Sequence, residues 1–204
     1  MHRRSIAVLV GALATASLLV ARPALAGAPL ICFPFDIGAA RSLPILQTGY
    51  GAVDPKYDVS RLVADTIELL DAKAPIIVHM ETIRRAALYA ERNPKAGAAL
   101  LAALQTRAGV PGPDAPAAVF DFGYLVETYK QGRVPVAGDA DGYVWIQKAI
   151  ALRGDPQMEL AAAIISAWPK RPDHAAHVRT ATLAAKSDEL LSRNLTGRIP
   201  ATEP

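Results

Sequence analysis

Apolar residues recur along this chain at helical spacing, with no stretch of period-two alternation long enough to argue a strand. From Pro75, the positions Ile76, Met80, Ile83, Ala87 and Ala90 fall at offsets 0, 4, 7, 11 and 14, a continuous stripe on one helix face. Asn93-Pro94 then restarts the chain, because Asn caps free N–H groups and Pro suits the first helical position. Gly97, Leu101, Leu104 and Ala108 follow on one face, and Gly109 ends the segment. Before these, Asp58 caps a helix through about Leu70.

Residues 109–115 read as a linker of Gly and Pro. A fourth helix is expected from about Pro116 to Gln131, with Val119, Phe122, Val126 and Tyr129 inward and Gly132 as its stop. A fifth, about 142–153, turns Trp145, Ala149 and Leu152 to one side. Gly154-Asp155-Pro156 starts a sixth with Met158, Ala161, Ala162, Ile165 and Trp168 inward, ended by Pro169 and Pro172. One last helix is expected from Asp173 to about Leu195. The pattern predicts an all-α fold of about seven helices, arranged as antiparallel helical hairpins in a bundle or short repeat-like array. An extended segment (27–57) precedes a single helical domain (58–195), and a polar tail (196–204) follows. The runs 83–94 and 146–156 both read helix, Asx-Pro, helix, which suggests a duplicated unit or two hairpins built from the same caps.

The start of the chain has a different logic. His2, Arg3 and Arg4 precede an apolar run from Ile6 to Val20, and Ala24-Leu25-Ala26 follows a break at Arg22-Pro23. Charge, apolar core and a small-residue site in that order predict a cleaved secretory signal peptide at 1–26 and a mature start at Gly27. The run is short for a membrane span, which needs about 20 residues. Arg3-Arg4 invites a twin-arginine reading, but the surrounding residues favour the general secretory route. No stable membrane span is expected after cleavage, and the location is the periplasm or the extracellular space.

Cleavage also changes the charge. The chain has 22 Lys and Arg against 19 Asp and Glu; three of the arginines and none of the acids leave with residues 1–26. The remaining 178 residues are formally neutral, so the basic character of the whole sequence does not argue for nucleic acid. A chain of that length buries a core without disulfides, and Cys32 is its one cysteine.

Four places carry candidate chemistry. His174 and His177 are three apart, as two ligands of one metal would be, but His79 is the one other histidine after the signal. Packed, hydrogen-bonded histidines are therefore expected, with no cofactor. Glu81 and Arg85 are spaced as a helix ion pair with the acid first, and Arg85 also suits a carboxylate or phosphate clamp. Asp121 lies among Phe120, Phe122 and Tyr124, where burial would make it an acid or base and a place on the solvent edge would leave it flanking the core, and Gly123 marks a close helix approach or a small cleft. Cys32-Phe33-Pro34-Phe35-Asp36 packs apolar and aromatic residues into a segment that Pro34 bars from a helix. Such a strip needs a groove, in its own domain first and in a partner second.

No phosphate loop, G-x-S-x-G elbow, C-x-x-C pair or calcium loop is present. The leading expectation is a non-catalytic exported module that binds another exported or envelope protein or supports an assembly, homo-oligomers included. Cys32, Phe33, Phe35 and Tyr124 are its candidate binding residues. The alternatives are a hydrolase-like enzyme built from Asp36, Glu81, Arg85, Asp121 and the histidines, and a carrier of a small apolar ligand.

Overall fold

Several helix starts fall where an Asx side chain caps them. A computed structural model of the chain describes residues 30–46, 52–132, 134–135, 138–196 and 198. The expected signal peptide and its cleavage site lie outside the described residues, as does most of the polar tail. Asp58 accepts a hydrogen bond from the Ser60 amide and opens a 3₁₀ turn, Val59–Arg61, that runs into α1 (Leu62–Leu69). Asn93 accepts from the Ala96 amide between α2 (Ile76–Arg92) and α3 (Pro94–Ala108). Asp141 and Asp155 cap α5 (Gly142–Arg153) and α6 (Pro156–Ala167) in the same way. The two Asx-Pro junctions thus share one mechanism: an Asx side chain satisfies a free amide, and Pro occupies the first helical position.

The remaining helices are α4 (Ala115–Gln131), α7 (His174–Ala184) and α8 (Glu189–Leu195). The fold is all-α, with eight α-helices among the described residues. A two-residue antiparallel ladder adds to them, β1 (Ile45–Leu46) against β2 (Ala52–Val53), with Ile45 opposite Val53. From α2 to α7 each helix packs on the next, and α2 also lies against α4 and reaches α6. No described helix is long and apolar enough to cross a membrane.

The expected single helix from Asp173 to Leu195 is two. Residues 185–188 turn, and Asp188 adopts an extended backbone and accepts from the Leu191 amide to open α8. The break is a tertiary joint: Asp188 also accepts from Gln157 Nε2 at 2.8 Å, and Gln157 Oε1 accepts from the Ile77 amide at 3.0 Å. Trp168, expected inward, is 80% exposed, and Leu152, expected on one face with Trp145 and Ala149, is 53% exposed. Leu152 is one residue from the end of α5 and Trp168 is the C-cap of α6, where the chain turns away.

Gly123 marks the close approach that its place in a helix predicts. A Cβ there would sit 2.6 Å from the Gly142 carbonyl oxygen and 2.7 Å from Trp145 Cβ. Glu127 of α4 exploits this contact, accepting from the Gly142 amide at 2.7 Å, and Phe122 meets Trp145 edge-on at 4.8 Å between ring centres. Gly123→Ala should therefore overpack the α4–α5 seam and destabilise by roughly 1–3 kcal/mol. The measurement is thermal unfolding, with Tm expected to fall about 2–4 °C per kcal/mol in a domain of this size.

Candidate functional site

Helix α2 is amphipathic by sequence, yet its polar face is buried as well. His79, Glu81 and Thr82 are fully buried and Arg84 is 1% exposed. His79 turns to α4, while Glu81, Thr82 and Arg84 meet residues 30–44, a strap laid across α2. The Glu81 carboxylate is its anchor. Oε2 accepts from Arg84 Nε at 2.7 Å and from the Phe35 amide at 2.9 Å. Oε1 accepts from Arg84 Nη2 at 2.8 Å and from Arg85 Nε at 2.7 Å. Burial pushes this carboxyl upward, but the Arg84 and Arg85 guanidinium groups and the Phe35 amide outweigh it, so it titrates below the usual glutamate range.

The same arginines grip strap carbonyls: Arg84 Nη1 donates to Ile31 at 3.0 Å, and Arg85 Nη1 to Leu43 at 2.7 Å. Gln131, at the end of α4, accepts from the Leu30 amide at 2.8 Å. Tyr89 donates to the Pro44 carbonyl at 2.7 Å. Asn194 of α8 brackets Asp36, accepting from its amide and donating to its carbonyl, both at 2.8 Å. Arg198 lies over the Phe35 ring, 3.6 Å from its centre, and donates to the carbonyls of Phe33 (3.2 Å) and Pro34. Eight strap residues are thus held through their backbone, by side chains from α2, α4 and the C-terminal end. Leu30, Phe35 and Leu43 anchor the strap in the core.

The expected Glu81–Arg85 ion pair is present, and the apolar strip docks in a groove of its own domain. Of the other expected site residues, Cys32 is half-buried in the strap as a free thiol. Tyr124 lies fully buried in α4, and its hydroxyl has no hydrogen-bond partner among the described residues. Asp36 contributes its backbone to the groove, while its carboxylate faces out to the Gly38 amide at 2.9 Å and Arg193 Nε at 3.2 Å. Glu81, Arg85, Phe33, Phe35 and Cys32 converge; Asp121 does not join them. Arg84, Gln131, Asn194 and Arg198 belong to the groove without having been expected. The Arg84-Arg85 doublet was the one visible sign, since Arg84 stands three residues after Glu81.

Asp121 is buried elsewhere. Its Oδ1 meets His79 Nδ1 at 2.7 Å, and His79 Nε2 meets the Asp71 carbonyl at 2.9 Å. The carbonyl only accepts, so Nε2 carries a proton. Burial pulls the His79 value down, but the Asp121 charge and both hydrogen bonds outweigh it, and the imidazole titrates above its ordinary value. The pair joins α2 to α4, with Arg107 Nη1 3.8 Å from Asp121 Oδ2.

His174 and His177 do not converge on one point. His174 Nδ1 faces Ser166 Oγ and the Ala163 carbonyl, each at 3.0 Å. His177 Nδ1 bonds to Glu159, and its Nε2 meets Tyr143 Oη and Gln147 Nε2, each at 2.9 Å. These imidazoles fasten α7 to α6 and α5. Among the described residues, no group of three His, Cys, Asp or Glu side chains is placed to hold a metal. Two open clefts of about 260 Å³ each lie away from these histidines, one beside Arg41 and Glu68, the other at the α3–α4 turn. No protein-family model, curated protein or solved structure matches the chain.

Two outcomes follow from the buried charges. Glu81→Gln should leave Arg84 without its counter-charge and cost about 3–5 kcal/mol in urea unfolding, with hydrogen exchange across residues 30–44 accelerating. For His79, whose folded value is raised, the stabilisation is complete below the unfolded value of about 6.5 and is lost as pH rises through the folded one. Urea midpoints should therefore decline on the alkaline side of about pH 6.5, and His79→Gln should lower stability and flatten that decline.

Proposed function

We propose that the protein is an exported, non-catalytic interaction module whose working surface is the groove now filled by residues 30–44. Its occupant is an extended segment of another exported or envelope protein. One observation carries this reading: the strap is held by side chains that bind its backbone at eight residues, with no strand pairing along residues 30–44. Backbone groups are common to every peptide, so a groove that recognises them accepts an extended chain with few demands on its side chains. The three apolar anchors then set register.

Export enters through the charge and hydropathy pattern of residues 1–26 and the neutral remainder of the chain. The enzyme alternative gains less support. The Glu81–Arg85 pair, the Asp36 carboxylate and Asp121 lie in three separate networks, and each carboxylate is engaged by cations or amides that hold structure together. The carrier alternative would need an internal cavity, whereas the core positions of α2, α4 and α6 pack against one another with little exposure.

The test is displacement of the strap in the full chain. Isotope-labelled protein is mixed, under reducing conditions, with a synthetic peptide of residues 30–44. Hydrogen exchange of the protein's own 30–44 segment is then followed by mass spectrometry. The expected result is a saturable, concentration-dependent loss of protection. Protection that persists at every peptide concentration, or disappears only with global unfolding, would overturn the reading.

A further inference from the structure

A second surface stands apart from the groove. Six large apolar side chains are exposed among the described residues, and four of them belong to α5, the C-cap of α6 and α7. These are Val144, Leu152, Trp168 and Leu183, at 60%, 53%, 80% and 63% exposure. Val144, Lys148 and Leu152 follow one another at intervals of four, an outward row along α5. Ile146 and Ala149 are buried on the other side of the same helix. A helix that is apolar on both faces is ordinarily covered on both. Arg179 and Leu183, also four apart, are exposed on α7. Helices α5 and α7 lie side by side, because His177 meets Tyr143 Oη and Gln147 Nε2. Arg171 pairs with Asp141 and lies over the Tyr143 ring, which brings the turn after Trp168 to the start of α5.

Charge on this face has one sign. Helices α5 and α7 contain no Asp or Glu. The carboxylates at its borders are engaged: Asp141 by Arg171, Asp155 by Arg153, and Glu159 and Asp173 by His177. Lys148, Lys170, Arg179 and Lys186 are exposed, and none forms an ion pair among the described residues. Lys148 lies over the Trp145 ring of its own helix, 5.3 Å from the centre. Asp139, exposed in the loop before α5, is also unpaired among the described residues and offsets one of these cations. The chain after residue 26 is formally neutral, so this excess is a matter of place and not of composition.

Exposed apolar groups interleaved with unpaired cations suit an anionic lipid surface. Its headgroups receive ammonium and guanidinium groups, apolar side chains enter just beneath, and Trp favours the boundary. A second copy fits less well, because a two-fold pairing of this face would bring its like charges together. We propose that the α5–α7 face is a peripheral docking surface for an anionic phospholipid bilayer. Val144, Trp168 and Leu183 enter the headgroup boundary, while Lys148, Lys170 and Arg179 meet lipid phosphates. The side chains that grip residues 30–44 take no part, so this inference stands or falls separately from the groove reading.

The experiment uses the full chain and reads Trp168 itself, which tells docking of this face apart from attachment through any other segment. Vesicles of phosphatidylglycerol and brominated phosphatidylcholine in equal parts are compared with brominated phosphatidylcholine alone. The chain has two tryptophans, and Trp168→Phe supplies the Trp145 background. Trp168 emission should shift to the blue and be quenched on the anionic vesicles, and both effects should weaken as salt is raised. Lys148→Gln combined with Arg179→Gln should weaken partition about twentyfold, since each basic group near an anionic surface contributes about fivefold. Thermal unfolding checks that this pair of exposed substitutions leaves the fold intact. Equal quenching on neutral and anionic vesicles overturns the part assigned to charge. Partition unchanged in the double variant overturns the assignment to this face. Trp168 that stays unquenched on anionic vesicles overturns the lipid reading. Self-association without lipid that Leu183→Ser abolishes would then give the face to a second copy, and binding of soluble polyglutamate would give it to an acidic protein.

Discussion

A carboxylate buried on a helix that could have pointed it at water is the constraint from which this structure is built. Glu81 receives two bonds from Arg84, one from Arg85 and one from the Phe35 amide. Removing a charge of this kind from water costs several kcal/mol, and the cost is offset only when every lone pair finds a donor. Two of the donors sit on the same helix. A third comes from the strap, so the polar face of α2 is saturated only when residues 30–44 lie across it. The two arginines then use their remaining donors on strap carbonyls, which makes docking of the strap and neutralisation of Glu81 one event.

The ends of the chain are tied into the same knot. Asn194 and Arg198, more than 150 residues away from Phe33 to Asp36 in sequence, hold those residues by their backbone. Contacts of that separation carry a large loop-closure cost and form only once the helices between them are in place. Those helices are ordered by simpler means. Asx caps set several of their starts, the Gly123–Gly142 contact brings α4 and α5 within backbone distance, and the His79–Asp121 pair locks α2 to α4. The bundle is local and hierarchical; the strap is the long-range closure laid over it.

This division of labour bears on function. A strap that merely completed a core would be expected to contribute through apolar side chains, and Leu30, Phe35 and Leu43 do so. The dense grip on its backbone is a different kind of recognition, one that does not distinguish this segment from another extended chain. The Tyr124 hydroxyl, buried in α4, has no hydrogen-bond partner among the described residues. Other buried polar groups, around His79 and His177, bond across to neighbouring helices and hold those helices together.

The helices were legible from sequence because their causes are local. The stripe Ile76, Met80, Ile83, Ala87, Ala90 and the Asn93-Pro94 and Asp155-Pro156 junctions are read within one or two turns. Glu81–Arg85 announced an ion pair because both residues lie on one helix, whereas Gly123 marked a close approach without naming its partner on α5. The misreadings fall where a neighbour decides. The break before Asp188 follows from its bond to Gln157 on α6, and the exposure of Leu152 and Trp168 follows from where the next helix fails to reach. Whether Asp121 would meet a histidine, an arginine or water had no signature, because its partners lie 42 and 14 residues away on other helices. The sequence alone determined an all-α chain, its caps and the need of residues 30–35 for a groove. Only the tertiary structure decided which groove, because that required Glu81, Arg84, Gln131, Asn194 and Arg198 to be brought together from four parts of the chain, and no local pattern encodes their meeting.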